Sequence, residues 1–168
     1  LYAENADVKG YLQIEGTNLS FPVVQSSNND DYLYRNFQRA YDTYGVPFLD
    51  YRCRVERDGC STNLLIYGHH MNGKKVFGQL TNYKDLGFYQ EHPVVQFDSV
   101  YEDGDWKIFS VFVTNVHSAQ DNGHVFEYQN YLDMNEAQFN EYIQEVRDRS
   151  YFDTEVDVAY GDQLLTLS

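Results

Sequence analysis

Two adjacent histidines that follow a short apolar run are the residues in this sequence best suited to chemistry. Residues 63–67 have an apolar centre that is short enough for a buried strand and too short for a helix. A turn is expected at Gly68, and His69 and His70 follow it directly. A histidine held at the end of a rigid strand, facing a loop, can transfer protons near neutral pH. The same pattern also fits a histidine that only ends a strand.

The two cysteines, Cys53 and Cys60, are the second set of residues that could do chemistry. They could form a disulfide in an oxidising compartment. The dipeptide Asp58-Gly59 predicts a two-residue hairpin turn, however, and that turn would hold the two sulfur atoms too far apart to bond. A disulfide would therefore need an irregular loop, and both states stay open.

A metal-dependent hydrolase is an alternative that would draw on the histidines of the chain: His69, His70, His92, His117 and His124. Adjacent residues of a strand point in opposite directions, and no His-x-His or His-Glu-x-x-His spacing occurs. The cysteines do not match a zinc-binding pattern. We therefore expect neither a metal nor any other cofactor.

Composition excludes several classes of partner. The 168 residues suit one domain, and 26 acidic against 12 basic side chains give a net charge of -14. This balance argues against nucleic acid and against an anionic membrane surface, because both bind clustered Lys and Arg. No apolar run approaches the roughly 18 residues of a membrane span. The 16 Tyr and 11 Phe favour strands over helices.

Most elements needed to position the histidines are predicted to be strands. Residues 106–115 show the most regular strand pattern and are apolar on both faces, which predicts a central place in a sheet. Residues 156–160 and 163–168 predict two further strands. Asn135 and Gln138 form a capping box at the start of an amphipathic helix. The order of many strands with a few inserted helices predicts a mainly β fold, a closed or nearly closed barrel.

Several segments, in one order along nearly the whole chain, resemble a single protein family. They include Gly10-Tyr11-Leu12-Gln13-Ile14, Phe21-Pro22-Val23-Val24-Gln25, residues 29–37, Phe48-Leu49-Asp50-Tyr51-Arg52, Ile66-Tyr67-Gly68-His69-His70-Met71 and Gly161-Asp162-Gln163-Leu164-Leu165-Thr166-Leu167-Ser168. Together these segments resemble the class B sortases. The resemblance implies an eight-stranded sortase barrel, with the helix after Asn135 between the sixth and seventh strands.

The resemblance also implies the activity and the place where it is carried out. Class B sortases are cysteine transpeptidases on the outer face of the membrane of Gram-positive bacteria, held by an N-terminal anchor that this chain does not include. They cleave a sorting motif of surface proteins after its threonine and form a thioester. They then transfer the acyl group to an amine of peptidoglycan or of a pilin-like protein subunit. The implied role of His69 is acid–base: it protonates the leaving amine and deprotonates the incoming one.

This sequence departs from the family pattern at the final strand. In the family that strand continues into Thr-Cys, where the cysteine is the nucleophile, and an arginine follows on the next strand. The chain stops at Ser168, so we expect residues 1–168 to be a single sortase catalytic domain that is incomplete at its C-terminus. Cys53 and Cys60 precede the histidine strand and do not match the nucleophile by motif. The alternative is an inactive sortase-like barrel that only binds sorting peptides.

The resemblance further implies a set of peptide-contacting residues: Asn29, Leu33, Tyr67, Ser168, and an aromatic from the inserted loop at Tyr128 or at Tyr131-Leu132. For Asn29 a helix cap is the competing interpretation. For Leu33 and the tyrosines the competing interpretation is core packing. A purely structural surface domain, in which the histidine turn has no role, is a further alternative.

Overall fold

A computed structural model of the chain describes residues 1–71, 75–115 and 123–168. The strands are β1 (Val8–Gln13), β2 (Ser20–Val24), β3 (Phe48–Leu49), β4 (Val55–Glu56), β5 (Gly59–Cys60), β6 (Asn63–Tyr67), β7 (His70–Met71), β8 (Lys75–Val76), β9 (Val94–Ser99), β10 (Asp105–Lys107) and β11 (Leu164–Leu167). The helices are α1 (Leu86–Glu91) and α2 (Glu136–Arg149), with 3₁₀ turns at Asp31–Tyr34, Phe77–Lys84 and Tyr128–Asn130. No helix in these ranges is both long enough and apolar enough to cross a bilayer.

One seven-stranded sheet, in the order β10-β9-β1-β2-β3-β6-β11, forms a nearly closed, barrel-like body. The pairs β2–β3 and β6–β11 are parallel, and the other neighbours are antiparallel. The predicted mainly β fold with a nearly closed barrel is confirmed. Seven of its strands lie in the main sheet within the described residues, and β4–β5 and β7–β8 form separate hairpins.

Strand β6, which leads to the histidines, lies deep in this body. Leu64, Leu65 and Ile66 are consecutive and at most 2% exposed, because the strand is covered on both faces. It pairs on one side with β3, where Leu49 lies opposite Ile66, and on the other with β11. The end of β6 is therefore fixed from both sides.

The prediction of a long central strand over residues 106–115 is wrong. Only Asp105–Lys107 pairs, and β10 lies at an edge of the sheet. Its partner β9 begins at Val94, and beyond the bond from the Ile108 N–H to Pro93 O the described part of the chain shows no strand paired with residues 108–115. The following residues instead bond to the C-terminal end of α2: the Val111 N–H donates to Ser150 Oγ and the Ser110 hydroxyl donates to Val146 O.

Two smaller predictions about local structure also differ from the structure. Residues 156–160 form no strand, and the Val156 carbonyl accepts a hydrogen bond from the Arg147 side chain instead of from a sheet. In the β4–β5 hairpin, Glu56 pairs with Gly59, so the two turn residues lie one position earlier than expected. The capping box at Asn135 and Gln138 is confirmed at the start of α2.

We predict that Leu65→Ala lowers the free energy of unfolding by about 2–5 kcal/mol, because it opens a cavity beside the central strand. Leu86→Ala is the control: its side chain is 46% exposed at the start of α1, and its effect should stay within about 0.5 kcal/mol. Urea denaturation followed by fluorescence measures both. Equal losses for the two variants would contradict the burial of β6.

Candidate active site

The backbone around His69 is held by contacts with two other segments, the end of β11 and the turn that begins at Phe77. The N–H of Gly68 donates to the carbonyl of Ser168 at 2.8 Å, and the His69 carbonyl accepts from the N–H of Phe77 at 3.0 Å. The Phe77 ring packs so closely on Gly68 that a Cβ there would lie 2.6 Å from a ring carbon. Only glycine fits before His69, which leaves the histidine on a rigid support.

One ring nitrogen of His69 is already in a hydrogen bond. Its Nε2 lies 2.6 Å from the carbonyl oxygen of Leu33. A carbonyl can only accept, so Nε2 carries the hydrogen in the neutral ring, and Nδ1 is the nitrogen that can accept a proton. The half-buried ring also lies 5.6 Å from the exposed Tyr34 ring, centroid to centroid. This arrangement fixes the tautomer that acid–base chemistry would use.

The Leu33 carbonyl is held in place by the turn Asp31–Tyr34 and the loop that crosses it. Asn28 Oδ1 accepts from the N–H groups of Asp30 and Asp31, which holds the start of this turn. Gly45 adopts a φ of +60°, and a Cβ there would lie 2.6 Å from the carbonyl oxygen of Leu33. The close approach of this loop to the carbonyl that orients His69 therefore requires glycine.

A buried carboxylate brings together two other predicted site residues. Asp50, which is 0% exposed, accepts hydrogen bonds from Asn29 Nδ2 at 3.0 Å and from the Tyr67 hydroxyl at 3.1 Å. The guanidinium of Arg52 binds the same carboxylate in a bidentate manner. Asn29 thus does not cap the turn that follows it, since the side chain of Asn28 binds the first N–H groups there.

The ionisation states of this cluster follow from its contacts. Burial alone would raise the pKa of Asp50, but the hydrogen bonds from Arg52 and Asn29 outweigh burial and hold that pKa below its usual range. Burial, and after it the Asp50 charge, raise the pKa of Tyr67. Asp50 is therefore an anion at neutral pH and the Tyr67 hydroxyl is protonated.

Ser168 and Tyr128 meet at the end of β11. The exposed Ser168 hydroxyl lies 2.5 Å from the Tyr128 hydroxyl, and the Ser168 N–H donates to Ile66 O. A cleft of about 520 Å³ opens here between residues 106–114 and β11. Tyr128, Ser168 and His70 line this cleft, whereas His69 does not.

Two predicted contact residues lie apart from this group. Leu132 is 6% exposed and packs in the main core, where its carbonyl accepts from the N–H of Asn63. Tyr131 packs its ring against Phe126 and Tyr142 in the cluster under α2. Of the aromatic candidates from this loop, only Tyr128 contacts another predicted site residue through its side chain.

Both cysteines are free thiols, so the disulfide that stayed open in the sequence is not formed. Cys53 is buried, and its sulfur lies 3.5 Å from the Leu65 N–H and 3.6 Å from Asn63 O. Burial raises the pKa of the Cys53 thiol to about 11. Its location and protonation fit a core residue and not a nucleophile.

Sequence reasoning assigned no role to Asp50 and Arg52, although both stand in a segment that carries the family resemblance. A usable signal was present: an acid and an arginine two positions apart, directly after the apolar pair of β3. Within the described ranges, no three His, Cys, Asp or Glu side chains are grouped as metal ligands would be. His117 lies outside those ranges.

We predict that Gly45→Ala destabilises the protein more than Gly161→Ala. Both glycines have positive φ values, but only at Gly45 would a Cβ meet neighbouring atoms; at Gly161 nothing lies within 4 Å. The new methyl group should displace the Leu33 carbonyl and change the Nε2 chemical shift of His69 in ¹⁵N NMR spectra. An unchanged His69 signal in a folded Gly45→Ala protein would contradict this contact.

We also predict that a thiol alkylator at pH 8 modifies Cys60 and leaves Cys53 unmodified in the native protein. Cys60 is half-buried, whereas Cys53 is buried with a raised pKa, and only thiolates react. Peptide mapping by mass spectrometry gives the extent at each site. In the urea-unfolded control both should react, and native modification of Cys53 at the rate of Cys60 would refute the prediction.

Comparison with known proteins gives sequence relatives along nearly the whole chain. No protein-family model matches it. Sortase B of Staphylococcus aureus is 29% identical over 164 residues, and Sortase B of Listeria monocytogenes is 31% identical over 164 residues. Each alignment covers 98% of this chain but 63% of the relative. The chain therefore spans less than two thirds of the length of these curated relatives.

Solved structures give the same result for the fold. The Staphylococcus aureus sortase B–substrate complex superposes with a TM-score of 0.88 at 27% identity, covering 99% of this chain and 72% of that one. A sortase B complexed with triglycine superposes with a TM-score of 0.88 at 28% identity, covering 99% of this chain and 73% of that one. By its sequence identity along almost all of its length and by its fold, the chain belongs to the class B sortase family.

Proposed function

We propose that residues 1–168 belong to the catalytic domain of a cysteine transpeptidase. In this proposal the enzyme cleaves a sorting motif after its threonine, forms a thioester, and transfers the acyl group to an amine. The observation that carries the proposal is the placement of His69: its Nε2 is bound to Leu33 O, and the residue before it is bonded to Ser168 at the end of β11. Structures of sortase B with a substrate and with triglycine support a peptide donor and an amine acceptor.

The proposed role of His69 is proton transfer through Nδ1. In the acylation step the histidine, as an imidazolium, gives the Nδ1 proton to the leaving amine. In the second step neutral Nδ1 takes a proton from the incoming amine as that amine attacks the thioester. The hydrogen bond from Nε2 to Leu33 O is kept throughout, so the ring does not have to turn between the two steps.

The proposed nucleophile is a cysteine of the whole protein that follows Ser168, as the Thr-Cys pattern of the family implies. Strand β11 runs parallel to β6, and Ser168 bonds to Ile66 and Gly68. Positions that continue this strand would pass beside His69. Neither Cys53 nor Cys60 lies on β11, and Cys53 is a core thiol.

The proposed place of action is the outer surface of a Gram-positive cell, with a sorting-signal peptide as one substrate. The acceptor would be an amine of a peptidoglycan precursor or of a pilin-like subunit. Asn29, Leu33, Tyr67, Tyr128 and Ser168 are the proposed peptide contacts. Tyr131 and Leu132 were expected in the same set, and we propose that their role is packing, on the ground of their contacts with the core.

We predict that His69→Ala in the whole protein lowers kcat/KM for transpeptidation by about 10²–10⁴-fold, because it removes the acid–base group. His124→Ala is the matched control and should stay within a few-fold, since the His124 side chain is 68% exposed, pairs with Glu145 of α2 and does not line the cleft. Activity is measured with peptides that carry a threonine before the scissile bond and with triglycine as the acceptor.

Three outcomes of this experiment separate the hypotheses. Loss of activity in His69→Ala alone supports the transpeptidase with the residue roles given above. A wild-type protein that binds the peptides but forms no product would instead be the inactive binding barrel. Full turnover by His69→Ala would remove the proposed role of this histidine.

A further inference from the structure

The carboxylate of Asp50 is the most densely bonded charged group in the described part of the site. Its Oδ1 accepts from the N–H and the Nε of Arg52, both at 2.9 Å. Its Oδ2 accepts from Arg52 Nη2 at 2.8 Å, Asn29 Nδ2 at 3.0 Å and the Tyr67 hydroxyl at 3.1 Å. A carboxylate that is 0% exposed is stable as an anion only with such partners, and here Arg52 supplies the balancing charge. Protein donors therefore occupy every acceptor site of the Asp50 carboxylate.

The first consequence concerns the direction of the Asn29 amide. A carboxylate can only accept, so the nitrogen of the amide must face Asp50 and its oxygen must face the other way. That oxygen accepts from the N–H of Tyr51 at 3.0 Å. One N–H of Asn29 has no further partner among these contacts. Asn29 thus presents an N–H as a hydrogen-bond donor, while its oxygen already accepts a bond from Tyr51.

The second consequence concerns Tyr67, which presents the opposite polarity. Its hydroxyl hydrogen is donated to Asp50 Oδ2, and its half-buried ring packs against Phe48 at 5.4 Å. The hydroxyl oxygen retains lone pairs that can accept a hydrogen bond. Asn29 Nδ2 and the Tyr67 oxygen bind the same carboxylate oxygen, so a donor and an acceptor are presented side by side.

The third consequence reaches across the site through Arg52. The same Nη2 that binds Asp50 donates to the carbonyl of Gln129 at 2.7 Å. Gln129 lies in the turn Tyr128–Asn130, whose first residue contacts the hydroxyl of Ser168. The Asp50–Arg52 pair thereby ties the β3 side of the site to the turn beside β11.

We propose that Asp50 is the positioning residue of this site, and that it sets a donor at Asn29 and an acceptor at Tyr67 to receive the main chain of the bound peptide. An extended peptide offers a carbonyl to the first and an N–H to the second, which complements this pair. Asp50 itself does not touch the peptide. This inference rests on the proposed function, because it takes a sorting peptide as the ligand.

The test is the affinity of the whole protein for sorting peptides, measured by fluorescence anisotropy, which does not depend on turnover. Asp50→Asn keeps the shape but places an NH₂ or a weaker acceptor against the donors of Arg52, Asn29 and Tyr67. We expect the peptide Kd to rise roughly ten- to hundredfold, the range for loss of charged hydrogen bonds. Tyr67→Phe and Asn29→Ala should each weaken binding, and their effects should be smaller when Asp50→Asn is already present.

The matched control is Asp133→Asn, because Asp133 also pairs with an arginine, Arg54, at 3.3 Å but is half exposed. It should change the Kd by less than about twofold. A purely structural role for Asp50 would lower stability and leave the affinity of the folded fraction unchanged. Wild-type affinity in folded Asp50→Asn, with losses in Tyr67→Phe and Asn29→Ala, would overturn the proposal for Asp50 and leave the proposed function intact.

A second measurement needs no variant, so it holds even where Asp50→Asn fails to fold. In ¹⁵N NMR spectra of the wild type, one side-chain amide hydrogen of Asn29 should be protected in the free protein, and the other should shift when peptide is added. If the protein binds the peptide but Asn29 shows neither the protected amide hydrogen nor the peptide-induced shift, the inference is overturned. A wild type that binds no sorting peptide would overturn the proposed function and this inference with it.

Discussion

The parallel pairing of β11 with β6 is the constraint on which the site depends. Leu164 to Leu167 lie opposite Asn63 to Ile66 without an irregularity, and main-chain bonds continue the pairing through Gly68 and Ser168. A slip of one residue would turn every side chain of β11 to the opposite face. It would also move Ser168 away from Tyr128. The register of one short strand thus decides which groups meet at the histidine.

The buried polar side chains around this strand pair are hydrogen-bonded to one another and to the main chain. Asn63, which is 0% exposed, bonds through its side chain to Tyr131 O and to the Thr166 hydroxyl, and Thr166 in turn contacts the Tyr142 hydroxyl. Among the described residues, no buried side-chain nitrogen or oxygen lacks a hydrogen-bond partner. Satisfied networks of this kind specify a single arrangement, because a partly bonded alternative would leave polar groups without partners in a low-dielectric interior.

The sequence predicts well those features whose signals are local. The short apolar run before Gly68, the capping box at Asn135 and the strand at the end of the chain are all found where their patterns indicate. Residues 106–115 have an equally good strand pattern, but a strand also needs a partner, and the partner strand β9 begins only at Val94, opposite Lys107. The role of Asp50 depends on contacts with Asn29 and Tyr67 that only the fold creates, since they lie 21 and 17 positions away.

The same strand pairing has a consequence for how the molecule folds. Asn63 and Thr166, which bond to each other, are 103 positions apart, so closing this loop carries a large entropic cost before any contact is gained. The turn Asp31–Tyr34 and the β4–β5 hairpin involve only neighbouring residues and can form early. The support of His69 through Gly68 and Ser168 belongs to this long-range pairing, so it depends on the closure of the whole chain and not on its local turns.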